Sequence, residues 1–408
     1  MRVLMIPAAA AGHFFPMVPL AWALRTAGHE VCIGAQPAIS DVVLRTGLNT
    51  VVVGESYDLM GSIAEADREV RAKLGKSPAT FAELAAIDPA VRKWHGELRT
   101  APHAHAAAAM SDQLVEFARA WRPDVVVSDP ITLVAPLVAE LAGAVLIHHQ
   151  WGPAEPSLDK FAGYGAPVER WHPVLRALYD RFGVEARTDY SPFSLASCPP
   201  SLQTAHPENR HTSRYVPHNG SGALAAWTGA RPERPRVCVS WSTSKALNRD
   251  GAGHPVTAIA RALTRLDVEL VVTVTADDRA AVEVPDGVRL VSEMPLQAVL
   301  PSCTASVNTG GAGSILTVLA AHGLPQVVVP QGPGHAFNAE RVAAVGAGIG
   351  LGFHPDDVAE PAHLDELTEA VSVVLTEERY TKAAEDVHQE NLAQPALAEA
   401  VRRLEALA

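Results

Sequence analysis

Short unbroken apolar runs alternate with longer stretches of helical period along almost the whole chain. Residues 3–6, 31–35 and 51–53 are continuous apolar runs, the pattern of strands buried on both faces. Between the first two, the sequence predicts a loop through Pro16 and a helix over about 17–27. Gly28 falls where a helix C-terminal glycine belongs. A second helical segment leads to Gly47. This βαβαβ opening predicts a parallel sheet covered by helices.

From about 55 to 112 the pattern is helical and polar, a helical cover on the first domain. Apolar runs return at 125–128 and 145–148, and residues 191–211 are rich in Pro, Ser and His. With the polar, Pro-rich stretch that follows, they form the best linker candidate in the chain. Strands are then expected at 237–240, 269–274, 288–291, 305–307 and 326–329, with a helix near 256–263. The expected division is a Rossmann-like domain over 1–212, a linker over 213–235 and a second Rossmann-like domain over 236–379. Residues 380–408 read as amphipathic helices with the length to pack back on the first domain.

Composition narrows the class. A chain of 408 residues suits two cores, because single cores stop growing at about 250–300 residues. No apolar run approaches the roughly 20 residues that span a bilayer. His13 and Pro16 follow the apolar N-terminal stretch where a signal peptide would place its cleavage site. A cytoplasmic protein without a membrane anchor is expected. The net charge of −12 opposes nucleic acid as a partner. Cys32, Cys198, Cys238 and Cys303 are scattered without metal-ligand spacing, so they read as buried thiols. Neither a metal nor a bound cofactor is expected.

Two places carry candidate chemistry. In 306–332 a short strand runs into Gly310, Gly311 and Gly313, and a helix begins near Ser314. Glycines allow close backbone approach, and a helix start offers free N–H groups to an anion such as a diphosphate. On the glycines alone, a tight turn without ligand is an equal reading. The spacing is not GxGxxG, which disfavours a nicotinamide dinucleotide.

The second place is His13, after the first strand, with Asp129 ending the run at 125–128. Carboxyl ends of parallel strands face the ligand crevice, and an imidazole held by a carboxylate is a workable general base. Among 17 histidines, a single one is more often structural. Phe14 and Trp151 lie beside strand ends as candidate acceptor-wall residues, although aromatic residues there are more often core.

Together with the glycine turn, RYVPHNG at 214–220, RVCVSWSTS at 236–244 and MPLQAVLPSC at 294–303 closely resemble the antibiotic-type glycosyltransferases of family 1. Those enzymes decorate macrolides and aromatic polyketides. The likeness runs from residue 1 to NAERV at 338–342. It implies a GT-B fold of two Rossmann-like domains facing across a cleft. It also implies inverting transfer of a sugar from a nucleotide diphosphate, often dTDP, to a hydroxyl of a hydrophobic acceptor.

Carried over by residue, the resemblance makes His13 the base and Asp129 its partner. Ser242 and Thr243 match the phosphate-side pair. Asn308, Gly310, Gly311, Ala312, Gly313 and Ser314 occupy the diphosphate motif, with Asn308 and Thr309 where the family commonly has two histidines. Met294 and Leu296 flank Pro295 where the donor base is held, and Trp151 in HHQWGP matches a macrolide-type segment. In the sugar-binding loop, Gly334 replaces an Asp and His335 a Gln. A donor lacking the hydroxyl that the Asp would accept fits this change; drift with a compensating residue fits it equally. A homodimer and a cytochrome P450-like auxiliary protein are the partners the resemblance allows. A catalytically degenerate helper protein and a nucleotide-sugar epimerase remain as other readings.

Overall fold

The computed structural model describes residues 1–153, 161–204, 209–241 and 254–408. In the first half, β1 (Arg2–Ile6), β2 (Glu30–Ala35), β3 (Asn49–Val52), β4 (Val125–Ser128) and β5 (Val145–Gln150) form parallel strands. A small pair, β6 (Phe161–Ala162) and β7 (Gly165–Ala166), precedes β8 (Ser194–Ala196) and β9 (Arg210–Thr212). The sheet has seven strands in the order β3-β2-β1-β4-β5-β8-β9. Val3 pairs with Val31 on one side and Val125 on the other. All three are buried, which is why these runs lack polar alternation.

The helices of this lobe are α1 (Ala11–Phe14), α2 (Val18–Thr26), α3 (Pro37–Leu44), α4 (Leu59–Leu74), α5 (Phe81–Ala86), α6 (Pro89–Trp121), α7 (Ala135–Ala142) and α8 (Pro173–Phe182). The polar stretch between β3 and β4 is thus a helical excursion, as its pattern predicts. The Asp88 carboxylate caps α6 by accepting from the backbone N–H groups of Ala90 and Val91, satisfying donors that a helix start leaves open.

The second lobe contains β10 (Arg236–Ser240), α9 (Pro255–Leu263), β11 (Glu269–Val274), β12 (Arg289–Ser292), α10 (Leu296–Val299), β13 (Ala305–Asn308), α11 (Ala312–Leu316), β14 (Gln326–Val328), α12 (Pro333–Ala344) and β15 (Gly348–Gly350). Its six parallel strands run in the order β12-β11-β10-β13-β14-β15. Helices α13 (Pro361–Thr376), α14 (Glu378–Ala393) and α15 (Leu397–Glu405) end the chain. Ala400, Val401 and Leu404 of α15 join Leu20 and Leu24 of α2 in one apolar core, and His29 meets Glu405 at 2.9 Å. The last helix therefore completes the first lobe. Among the described residues, no helix is long and apolar enough to cross a membrane.

The two-lobed α/β architecture is the one expected, with three differences in detail. The stretch at 191–211 contains β8 and most of β9, three-residue strands imposed by pairing to β5 and to each other against a composition that favours turns. Strand β15 adds a sixth member whose two glycines hide its pattern. His13 lies in a four-residue helix where a loop was expected.

His148 and His149 on β5 are each 1% exposed. Burial pushes both pKa values down to about 4, against about 6.5 in an unfolded chain. As pH falls below 6.5 the unfolded chain binds protons that the folded chain excludes, so stability declines down to about pH 4. A Tm measured across that window should fall steadily, and more shallowly for His149→Gln. A flat profile would contradict the assignment.

Candidate functional site

Each sheet reverses its strand order beside its first strand, and ligand crevices form outside the carboxyl ends of strands at such a reversal. In the first lobe the reversal lies between β1 and β4. The segment after β1 delivers His13 and the segment after β4 delivers Asp129. In the second lobe it lies between β10 and β13, and the glycine turn follows β13.

Asp129 is fully buried and fixed by three donors. Its Oδ2 accepts from the Ala8 N–H at 2.8 Å, and its Oδ1 accepts from the Ile131 N–H at 3.1 Å and the Thr132 hydroxyl at 3.0 Å. His13 Nδ1 faces Oδ2 at 3.7 Å and has no other partner. That separation is longer than a hydrogen bond. Burial lowers the His13 pKa and the Asp129 charge opposes the drop. The imidazole is therefore neutral at pH 7. Burial likewise raises the Asp129 carboxyl, opposed by His13 and by its three donors. With Nδ1 turned to Asp129, Nε2 is the nitrogen left for a ligand.

A pocket opens beside this pair, lined by Ala8, Gln36, Leu59, His103, Met110 and Leu133 among others. His103 comes from α6, one residue after the buried Pro102. Burial pushes its pKa down to about 4, with the neighbouring His13 and Arg99 acting in the same direction. The pocket is apolar on most sides and carries a second neutral imidazole.

In the second lobe, Gly310 has φ +84°, and a Cβ there would lie 2.7 Å from the His335 carbonyl oxygen. Only glycine fits that backbone. Gly311 precedes the first turn of α11 in extended conformation with no side-chain cap, so the N–H groups of that turn remain available to an anion. The helix continues as a π-helical turn over Thr317–Ala321, a distortion frequent at functional sites.

A polar network holds this helix start. The Thr317 hydroxyl donates to the Gly313 carbonyl at 2.6 Å, and the Tyr215 hydroxyl lies 3.0 Å from Thr317 Oγ1. Asn219 Nδ2 donates to the same oxygen at 3.1 Å. Asn219 and Gln297 exchange hydrogen bonds, N–H to Oε1 at 2.6 Å and N–H to Oδ1 at 3.2 Å. RYVPHNG is thus more than a connector: it ties the start of α10, just after the β12–α10 loop, to the first turn of α11. In that loop Glu293 has φ +58°, strained backbone for a residue with a side chain.

The lobes meet between the two centres. The ring centroids of His13 and Trp151 are 4.6 Å apart. A Cβ on the next residue, Gly152, would lie 2.4 Å from the Ala312 Cβ. Phe15 also contacts His218, with ring centroids 5.2 Å apart. His13 and the first turn of α11 therefore share one gap.

Several expected residues lie here and others do not. Trp151, Gly311, Ala312, Gly313 and Ser314 face the gap region, half-buried. His335 stands beside the turn, its Nε2 3.9 Å from a Cβ built on Gly311, and its Nδ1 is buried without a partner. Burial pushes its pKa down to about 4, opposed by a hydrogen bond to the Thr309 backbone. Gly334 precedes it in the first turn of α12. Met294 is half-buried at the loop, while Leu296 turns into the core with Val299 and Leu300. Ser242 and Thr243 lie outside the described residues.

Two expectations are corrected. Asn308 is fully buried. Its Nδ2 donates to Gln326 Oε1 at 2.7 Å and its Oδ1 accepts from the Gly310 N–H at 2.9 Å, so it shapes the turn from beneath without reaching a ligand. Phe14 is also fully buried, packed in the core of the first lobe, and it cannot line an acceptor site. Sequence reasoning did not single out His103, Tyr215, Asn219, Gln297 or Thr317 as site residues. The RYVPHNG and MPLQAVLPSC segments were the available signal for three of them.

The family described as "Erythromycin biosynthesis protein CIII-like" matches through its N-terminal domain at residues 22–242 and its C-terminal domain at 257–407. The 10-deoxymethynolide desosaminyltransferase of Streptomyces venezuelae is 32% identical over 429 residues, covering 100% of this chain and 97% of the relative. The TDP-daunosamine transferase DnrS of Streptomyces peucetius is 32% identical over 442 residues, covering 100% and 97%. Among solved structures, the spinosyn rhamnosyltransferase SpnG complexed with thymidine diphosphate superposes with a TM-score of 0.80 at 30% identity. It covers 99% of this chain and 100% of that one.

Proposed function

The chain belongs to the erythromycin biosynthesis protein CIII-like glycosyltransferases of the GT-B fold, and we propose that it moves a deoxygenated hexose from a dTDP donor to a hydroxyl of a polyketide-type aglycone. That it is a glycosyltransferase follows from the family. The donor class is supported by relatives whose names specify desosaminyl and daunosamine transfer and by Gly334, which offers no carboxylate to a sugar hydroxyl. The acceptor class is supported by the apolar pocket beside His13.

The observation that carries the reading is the Gly152–Ala312 approach. It sets the tilted Trp151–His13 ring pair against the first turn of α11, where a base and a leaving pyrophosphate must lie on opposite sides of one anomeric carbon. His13 Nε2 takes the proton of the acceptor hydroxyl, whose oxygen attacks in line with inversion. Asp129 holds the imidazole and balances its charge as the proton arrives. The N–H groups of α11 and the Ser314 hydroxyl stabilise the departing diphosphate. Met294 borders the donor base, Gly334 and His335 border the sugar, and Trp151 borders the acceptor. For Ser242 and Thr243, a role at the phosphates rests on the sequence match alone.

Thymidine diphosphate at 100 times its Kd should stabilise the protein by about 2.7 kcal/mol, read as a rise in Tm. With an accepted aglycone, dTDP-linked deoxyhexoses should turn over faster than dTDP-glucose. A preference for the glucose donor would overturn the deoxy assignment, and absence of thymidine diphosphate binding would overturn the donor site.

A further inference from the structure

The helical excursion between β3 and β4 does more than wall the acceptor pocket: it reaches the second lobe. Arg71 Nη1, in the last turn of α4, pairs with Asp356 Oδ2 at 3.1 Å. Lys76 Nζ pairs with Asp357 Oδ2 at 3.0 Å. Between them, His354 Nε2 donates to the Ser77 carbonyl at 3.1 Å. Phe81, at the start of α5, packs edge-on against Phe337 of α12 with ring centroids 6.4 Å apart. These contacts cross between lobes that share no sheet.

Both ends of this bridge lead to the site. Phe337 lies on the helix whose first turn carries Gly334 and His335. On the other side, Arg71 Nε bonds Asp67 Oδ2 at 2.9 Å, and Asp67 Oδ1 accepts from the Ser77 hydroxyl at 2.7 Å. Asp67 in turn faces Arg99 on α6, and Arg99 lies by His103 in the acceptor pocket. Leu59, on the same helix as Arg71, lines that pocket. An exposed ion pair taken singly contributes little. Here Arg71, Asp67 and Asp356 are each about a quarter exposed, and one short stretch supplies two ion pairs, a backbone hydrogen bond and an aromatic contact.

We propose that Arg71 and Lys76, clasped by Asp356 and Asp357, are positioning residues that register the acceptor wall of the first lobe against the donor loop of the second. The assignment of those two walls rests on the glycosyl-transfer reading; the clasp itself rests on the contacts. Closing it brings α4, α5 and α6 over the gap and completes the wall against which the acceptor binds. Opening it leaves each lobe folded and the acceptor less enclosed, with the Gly152–Ala312 approach in place.

The test uses the full-length protein with Asp357→Lys, and with the charge-swapped pair Lys76→Asp/Asp357→Lys. In Asp357→Lys, backbone amides of 75–81 and 354–358 should exchange faster, and the aglycone KM should rise about tenfold, within the usual range of coupling between sites. The saturated kcat and the Kd for thymidine diphosphate should hold within about twofold, since neither is set at the clasp. The charge-swapped pair should restore both exchange and KM. Unchanged exchange in Asp357→Lys, or a charge-swapped pair as defective as the single variant, would overturn the proposal. Thymidine diphosphate binding is measured separately, so failure of the transferase reading shows there while amide exchange still judges the clasp.

Discussion

His13→Ala is expected to lower kcat about 10²–10⁴-fold, the usual contribution of a positioned general base, while leaving thymidine diphosphate affinity unchanged. The expectation rests on placement: His13 turns Nδ1 to the buried Asp129 carboxylate and has a neutral ring at pH 7 because burial depresses its pKa. A base must begin unprotonated, so the rate should be level around neutrality and fall on the acid side only as pH drops through the His13 pKa, below 6.5. Asp129→Asn adds a second, directional result. The Asp129 charge raises the His13 pKa, so its removal should move the acid limb to lower pH even as the plateau rate falls. Steady-state kinetics across pH with a fixed donor would measure both. Near-normal turnover of His13→Ala, or an acid limb that moves upward in Asp129→Asn, would remove the pair from the chemistry.

Gly152→Val should cost about 10²-fold in turnover, the scale expected when reacting groups are displaced by about 1 Å. A Cβ at this position would lie 2.4 Å from the Ala312 Cβ, well inside van der Waals contact, and the remaining valine methyl groups would add to the overlap. Gly152 is absent from the positive-φ residues, so the substitution strains no backbone and its effect is purely one of space. The wedge enters between Trp151, whose ring meets that of His13 at a tilt, and the first turn of α11. Thermal unfolding should change little, because the contact lies between cores and outside both. A large Tm loss, or wild-type kcat, would show that the lobes do not meet here as described.

What could be read from the sequence depended on how far each signal was local. Residues 269–274 were bounded correctly because a strand buried on both faces needs nothing but its own apolar run. The glycine turn was equally legible, since the positive φ of Gly310 excludes almost every other residue. Phe14 was misplaced for a geometric reason. In a loop nothing distinguishes it from Phe15, whereas the short helix found there turns Phe14 into the core and leaves Phe15 toward His218. Asn308 was misjudged because a side-chain amide serves a ligand or a neighbour equally well, and the neighbour, Gln326, lies on an adjacent strand. His103 was hidden in a long polar helix whose inward face is defined only by what packs against it.

The position of α15 decides how the enzyme can be divided. Its apolar face completes the core that also contains Leu20 and Leu24, so the polypeptide leaves the first lobe after β9 and returns to it at the very end. The second lobe is in effect an insertion within the first. Chimeras with a relative should therefore exchange it as an internal cassette, with both junctions in the crossing segments and α15 kept with its own N-terminal half. A single cut would strand one lobe with an exposed greasy helix and the other with the groove that helix fills.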